Sequence, residues 1–180
     1  NPNNRCYYCK SELYAKLKMI SEQLGVKNML NGTNLDDLGD YRPGLSAADE
    51  SNVISPLKDA KLTKNEVREL AKHLGLEIWD KPSSPCLSSR VPYGGEITMK
   101  KLAMIEEAEN FLKDLGIREL RVRHFGGIAR IEVNEDDKQI INGNFESIKN
   151  KFNGIGFSEI EISNFKSGNL NRMIHVRAEN

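Results

Sequence analysis

The residues most suited to chemistry in this sequence are its cysteines. Cys6 and Cys9 form a C-x-x-C pair, and Cys86 lies in the distant run Pro-Ser-Ser-Pro-Cys-Leu-Ser-Ser-Arg that ends at Arg90. If a helix begins near the pair, positions i and i+3 share one face, and two thiolates there can bind one metal ion or cluster. The alternative for this pair is two partly buried structural cysteines. Proline and serine make the segment around Cys86 a rigid polar loop, so its thiol is expected to be exposed and reactive.

Two kinds of metal site are compatible with these thiols. They could bind three irons of a 4Fe–4S cluster and leave the fourth iron open. They could instead hold zinc in a Cys₃His site; the histidines of the sequence are His73, His124 and His175. No histidine stands at short spacing from a cysteine, so zinc is the weaker prediction.

A helix start in the first half of the chain is a candidate phosphate site. Ser-Pro-Leu at residues 55–57 precedes Thr63-x-x-Glu66, which has the pattern of a capping box. Free N–H groups and the positive end of the helix dipole favour anions, so phosphate could lie at this terminus beside Lys64. The alternative is an ordinary capped helix with a solvated lysine.

Alternating residues in the second half indicate a possible anion clamp. Between residues 118 and 124, Leu120 and Val122 would lie on one face of a strand and Arg121 and Arg123 on the other. Two arginines on one face could bind a phosphate, whereas the alternative is a solvated sheet face. Loop acids could bind Mg²⁺ or simply be solvated; they are Asp36, Asp37 and Asp40.

Hydrophobic periodicity predicts the elements that must position the first group of candidates. Apolar residues at helical spacing over 13–24 predict a helix that ends at Gly25, and residues 26–30 then read as a buried strand. A second helix follows Thr63, and residues 78–79 are a short strand candidate. This alternation predicts an α/β layer with a parallel sheet.

The second half is predicted to be a separate small α+β unit. A long helix is expected from near Thr98 to Gly116, followed by strands at 118–124 and 128–133 that are joined by a turn at Gly126 and Gly127. A helix around 145–152 and a strand around 157–162 complete an α-β-β-α-β order. We place the boundary near residues 90–97 and assign residues 1–93 and 94–180 to two domains.

Composition narrows the classes of partner. Lys plus Arg and Asp plus Glu each total 26, so there is no basic excess that would favour a nucleic acid. No apolar run approaches the roughly 20 residues that span a membrane, and we expect a cytoplasmic protein. The chain opens on Asn1 rather than Met, and we expect it to be part of a longer protein.

Several motifs resemble known families. Gly32-Thr33-Asn34, Ser-Pro-Leu at 55–57, Lys64-x-Glu66-Val-Arg and Lys81-Pro-Ser stand in the order found in PP-loop ATP pyrophosphatases such as GMP synthetase and NAD synthetase. The chain is more closely similar to the LarE family, sulfur transferases of nickel-pincer cofactor synthesis. That resemblance extends from about Arg5 to about Arg172, through Asp-Tyr-Arg-Pro-Gly-Leu at 40–45, Leu-Ser-Ser-Arg-x-Pro-Tyr-Gly at 87–94 and Arg-Val-Arg at 121–123.

The resemblance implies a fold, a reaction and a set of sites. It implies an adenine nucleotide alpha-hydrolase-like domain in which ATP, with Mg²⁺, adenylates a carboxylate of a pyridinium mononucleotide before sulfur attacks to form a thiocarboxylate. Homo-oligomerisation is also implied. The implied nucleotide-binding residues are Gly32, Asn34, Lys64 and Lys81. The implied substrate residues are Ser89, Arg90, Glu109, Arg121 and Arg123.

The sulfur source is implied by the thiol pattern. In one branch of the family a single cysteine gives up its sulfur, and that cysteine aligns with Pro85. Cys6, Cys9 and Cys86 resemble instead the branch in which three cysteines hold a 4Fe–4S cluster that carries the transferred sulfide. These three cysteines are therefore the implied catalytic and metal-binding residues.

The pyrophosphate loop Ser-Gly-Gly-x-Asp-Ser of these families is not found in the sequence. In the family it lies upstream of the region matched here, so we expect the 180-residue chain alone to bind ATP poorly. Two other readings stay open. One is a tRNA-thiolation enzyme of the same superfamily, which the neutral charge disfavours; the other is a non-catalytic metal- or nucleotide-binding fragment.

Overall fold

The structure is a computed structural model that describes residues 1–39 and 41–166. The chain divides into two units, one of residues 2–81 and one that combines Asn1 with the residues from Pro82 onward. The division falls before the boundary predicted from sequence. The residues from Pro82 to about 93 belong to the second unit because they pack there. Arg121 donates to the Ser83 carbonyl at 2.8 Å, and Arg90 donates to Glu109 at 2.7 Å.

The first unit is mainly helical. Its helices are α1 (Arg5–Leu24), α2 (Gly44–Glu50), α3 (Pro56–Asp59) and α4 (Lys64–His73), with a 3-10 helix at Leu35–Gly39. The helix α1 ends, as predicted, at Gly25, whose φ of 66° is left-handed. Its core is small and consists of Tyr14, Ala47, Ala48 and Val53.

The strands predicted in this unit are wrong. Residues 26–30 are not a buried strand, because Val26 is 51% and Leu30 63% exposed and only a single parallel bridge joins Leu30 to Ile54. Residues 78–79 lie in a turn. The apolar stripe of α1 is also largely exposed, with Leu24 at 71%. The adenine nucleotide alpha-hydrolase-like fold stays a prediction for this part of the chain.

The second unit has the predicted order of elements with one additional helix. It contains a 3-10 helix at Leu87–Arg90, then α5 (Met99–Asp114), β1 (Leu120–Phe125), β2 (Ile128–Val133), α6 (Lys138–Gly143), α7 (Phe145–Ile155) and β3 (Glu159–Asn164). The helix α6 was not predicted. Together the described residues form a mixed α/β protein, as expected at the level of fold class.

A three-stranded mixed sheet organises this unit, in the order β1-β2-β3. The strands β1 and β2 are antiparallel, and β2 and β3 are parallel. Gly126 and Gly127 make the hairpin turn with φ of 58° and 109°, values that glycine adopts at little cost. The helices α5 and α7 cover one face of the sheet, and their contact buries Leu112, Val122, Ile131 and Phe152 completely.

None of the helices in the described ranges combines the length and apolar character needed to cross a bilayer.

Candidate functional site

A cleft beside Cys86 brings together several of the predicted site residues. It has a volume of about 310 Å³ and lies between the loop of residues 84–87 and the helix α5. Its lining includes Cys86, Arg90 and Glu109, which the sequence had indicated. The other lining residues are Ser84, Pro85, Leu87, Glu106, Asn110 and Lys113. Glu106, Asn110 and Lys113 were missed, although their i, i+4, i+7 spacing places them on one face of a helix.

Arg90 and Glu109 form a buried ion pair at the base of this cleft. The guanidinium Nε and Nη2 donate to the two carboxylate oxygens at 2.7 and 3.1 Å, a bidentate arrangement. Arg90 is 2% and Glu109 3% exposed. Glu109 also accepts the backbone N–H of Val122 at 3.0 Å, so its carboxylate joins α5 to the edge strand β1.

Arg90 also binds the loop that carries Cys86. Its Nη1 donates to the carbonyl of Pro85 at 2.9 Å, to that of Cys86 at 3.4 Å and to the Ser89 hydroxyl at 3.0 Å. The Ser89 side chain, predicted to bind substrate, therefore contacts Arg90 directly.

Arg123 is neutralised by a carboxylate that the sequence analysis missed. Its Nε donates to Oε1 of Glu132 at 2.7 Å, and Glu132 is fully buried. Its Nη1 donates to the Ser89 carbonyl at 3.0 Å. Glu132 lies on β2, two residues along the strand from Arg130, which is the residue opposite Arg123. It could therefore be found only once strand pairing was known.

Arg121 lies in the same region and has a different environment. It donates to the carbonyls of Leu120 and Ser83, both at 2.8 Å, and its guanidinium lies 5.0 Å from the centre of the Phe165 ring. Among the described residues it forms no ion pair. Burial lowers its pKa, and the nearby charge of Arg90 lowers it further.

The alternative of a solvated arginine face is thus wrong for β1. Arg121 is 8% and Arg123 5% exposed, because the loop of residues 83–89 covers them. Arg121 retains a positive charge with no carboxylate bound to it in the described part of the chain. A buried guanidinium of this kind is suited to bind an anion.

Cys6 and Cys9 both lie in the first turns of α1, at the i, i+3 spacing that puts them on one face. All three cysteines are exposed and free. Cys6 and Cys9 belong to the first unit and Cys86 to the second. Within either described range, no group of three or more His, Cys, Asp or Glu side chains is arranged to hold a metal ion. The convergence of the three cysteines stays a prediction.

The predicted nucleotide residues lie in two loops and a helix start of the first unit. Gly32, Lys64 and Lys81 are exposed, and a Cβ added at Gly32 would meet no atom within 4 Å. The Asn34 side chain accepts the backbone N–H of Asp36 at 3.0 Å. The backbone N–H of Lys64 is already bound, at 2.9 Å, to the carboxylate of Asp36.

The start of α4 is a complete capping box, as the motif predicted. Thr63 accepts the N–H of Glu66 at 3.3 Å, and the Glu66 carboxylate accepts the N–H of Thr63 at 2.8 Å. The backbone N–H groups of Thr63, Lys64 and Glu66 are thus in use, and the side-chain amine of Lys64 is the charged group that this helix start offers to a phosphate.

The acidic residues and histidines that the sequence offered as further metal ligands lie in different environments. Asp37 pairs with Arg42 at 2.8 Å. His73 is exposed at the end of α4. His124 is buried on β1 against Phe157, with ring centres 5.5 Å apart. Asp40, His175 and the end of the resemblance at Arg172 lie outside the described residues.

The fold and the site define a mixed α/β protein with a buried arginine cluster beside an exposed thiol. No family model matches the chain. It is 43% identical over 97% of its length to an uncharacterized protein of Synechocystis sp. and 38% identical over 91% to an uncharacterized protein of Methanocaldococcus jannaschii. It is 36% identical over 95% of its length to pyridinium-3,5-bisthiocarboxylic acid mononucleotide synthase of Lactiplantibacillus plantarum.

Similarity to this synthase along nearly the whole chain supports the assignment to the LarE family made from the motifs. The chain spans 63–66% of the length of these three relatives.

Proposed function

We propose that this chain is part of an enzyme that converts a carboxylate of a pyridinium mononucleotide into a thiocarboxylate for nickel-pincer cofactor synthesis. The observation that carries the proposal is the 36% identity, over 95% of the chain, to a synthase whose name describes a pyridinium bisthiocarboxylic acid mononucleotide. The arginine cluster beside Cys86 is consistent with a substrate that carries a phosphate.

In this proposal Arg121 binds the phosphate of the mononucleotide. Its guanidinium is buried, positively charged and bound by no carboxylate of the described residues. Arg123 contributes less charge because Glu132 neutralises it at 2.7 Å. Arg121 and the cleft that Cys86 lines belong to the same unit. A mononucleotide whose phosphate is bound at Arg121 would therefore be held by the unit that carries Cys86.

ATP activates the substrate carboxylate. A carboxylate oxygen attacks the α-phosphorus of ATP, pyrophosphate leaves, and the carboxylate becomes a mixed anhydride with AMP. A hydrosulfide then attacks the carbonyl carbon, AMP leaves with the bridging oxygen, and the proton of the sulfur passes to solvent. Lys64 and Lys81, both exposed, would contact the phosphates of ATP, with Gly32 and Asn34 in the adjacent loop and Mg²⁺ screening the charge.

The thiols of the chain fit the ligand chemistry of an iron–sulfur cluster. Cys6 and Cys9 are exposed on one face of α1 and can supply two thiolates, and the exposed Cys86 can supply a third. When bound, a 4Fe–4S cluster with one open iron would supply the hydrosulfide. The chain's own contribution is to present these thiols and, through Arg121, to hold the substrate.

Metal content and turnover test the proposal together. Anaerobically purified protein should contain iron and acid-labile sulfide, and Cys86→Ser should lose most of both, whereas Ser84→Ala on the same loop should keep them. With ATP, Mg²⁺, sulfide and a pyridinium carboxylate mononucleotide, protein extended to the full length of its relatives should replace a carboxylate oxygen by sulfur, detected by mass spectrometry. Absence of an ATP-dependent thiocarboxylate in that protein would refute the assignment.

A further inference from the structure

The loop that carries Cys86 is exposed, yet buried arginines hold its backbone. Residues 83–86 are all exposed. The carbonyl of Ser83 accepts from Arg121 at 2.8 Å, and that of Ser89 accepts from Arg123 at 3.0 Å. Between them, Arg90 binds the carbonyls of Pro85 and Cys86. Exposed side chains give this loop little packing, so these hydrogen bonds determine where its backbone lies.

Arg90 holds the part of the loop nearest the thiol. Its Nη1 lies 2.9 Å from the Pro85 carbonyl and 3.4 Å from that of Cys86 itself. The other side of the guanidinium is fixed by the two oxygens of Glu109 at 2.7 and 3.1 Å. Glu109 is in turn fixed by the Val122 N–H at 3.0 Å. A continuous chain of buried hydrogen bonds therefore connects the sheet to the backbone of Cys86.

We infer that Arg90 and Glu109 are positioning residues for the Cys86 thiol and do not bind the substrate phosphate. Glu109 is a carboxylate, which has no hydrogen to donate to a phosphate, and its two oxygens already accept three hydrogen bonds. Arg90 has its charge matched by Glu109, and its Nη1 donates to the loop. The inference rests on the proposed role of Cys86. It divides the implied substrate residues into two groups: Arg121 binds the phosphate, whereas Arg90 and Glu109 position the thiol.

Glu109→Gln tests the inference, with Glu106→Gln as a matched control. Glu106 lines the same cleft from the same helix but is exposed. Removing the charge of Glu109 weakens the anchor of Arg90. Amide hydrogen exchange at Ser89 and Val91, whose N–H groups donate to the carbonyls of Cys86 and Ser88, should then accelerate about tenfold or more. The control should leave it unchanged. The mononucleotide Kd should stay within about twofold of wild type, while kcat for thiocarboxylate formation falls, the split expected when positioning and not binding is lost.

The outcomes separate this inference from the proposed function. A rise in mononucleotide Kd of about tenfold, with loop exchange unchanged, would make Glu109 a substrate-site residue and overturn the inference. Unchanged loop exchange with unchanged Kd would overturn it as well. Faster loop exchange in Glu109→Gln, together with a full-length wild-type protein that forms no thiocarboxylate, would support the anchor and refute the reaction. The exchange measurement needs neither turnover nor a bound cluster.

A second variant covers the case in which Glu109→Gln fails to fold. The double substitution Arg90→Met with Glu109→Leu replaces a buried ion pair by apolar side chains of similar volume, which proteins often tolerate. It removes the hydrogen bonds to the Pro85 and Cys86 carbonyls while it fills the same space. Loop exchange should again accelerate, and a folded double variant with wild-type exchange would overturn the inference.

Discussion

The unmatched charge of Arg121 leads to the most specific prediction. Arg121→Ala removes a guanidinium that holds two backbone carbonyls and lies over the Phe165 ring. Loss of these contacts should lower the free energy of unfolding by about 1–3 kcal/mol, because two carbonyls lose a partner. If the same guanidinium binds the substrate phosphate, its removal also costs a charged hydrogen bond, worth about 1.5–3 kcal/mol. The mononucleotide Kd should then rise roughly 10- to 150-fold.

Calorimetric titration of a pyridinium carboxylate mononucleotide into the 180-residue protein measures this change directly. Inorganic phosphate as a competitor tests whether the phosphate group is what is recognised. Arg130→Ala is the matched control, because Arg130 is an arginine of the same sheet whose charge is paired with Glu161 at 2.7 Å. Its Kd should match wild type.

An unchanged Kd in folded Arg121→Ala would refute the reasoning, since the absence of a paired carboxylate would then have no bearing on ligand binding. An equal rise in the mononucleotide Kd for Arg121→Ala and Arg130→Ala would refute it too, because it would indicate a general effect of positive charge.

Three further predictions concern stability. Thr63→Ala should lower the free energy of unfolding by about 1 kcal/mol, measured by urea denaturation, because it removes the cap of α4. Glu132→Gln should lower it by about 3–5 kcal/mol since it leaves the buried charge of Arg123 unmatched, whereas Glu161→Gln at a half-exposed pair should cost less than about 1 kcal/mol. Burial lowers the pKa of His124 below its ordinary value of 6.5, so the unfolded chain binds the proton at a higher pH than the folded chain does. The free energy of unfolding should therefore fall as the pH drops below about 6.5. Thermal melts of His124→Phe at several pH values should show a smaller fall in melting temperature.

Apart from α6, the helices and strands of the second unit could be predicted because local patterns specify them. The capped start of α5, the paired glycines of the hairpin and the apolar periodicity of α7 each depend on a few neighbouring residues. In the first unit the run at 26–30 has the composition of a buried strand. A strand forms only where neighbours supply hydrogen bonds along its length, and in the described residues Leu30 has one bridge.

The site could be predicted only in part, because long-range contacts complete it. The alternation in β1 correctly placed Arg121 and Arg123 on one face, but no local feature indicates that the loop at 83–89 covers that face. The partnership of Arg90 with Glu109 and of Arg123 with Glu132 likewise depends on packing between distant segments. The types of residue were therefore predictable, and their pairing was not.

The contact between Glu109 and the Val122 N–H has a consequence for association between molecules. Among the residues that the structure describes, the strand β1 lies at the border of the sheet, where N–H and C=O groups can pair with a strand of another chain. The Glu109 carboxylate occupies one of these donors, so the Val122 N–H is not available to a second backbone. The side chain that fixes Arg90 thus also takes up a donor that β-pairing would use, so its loss should make association through β1 easier as well as loosening the loop.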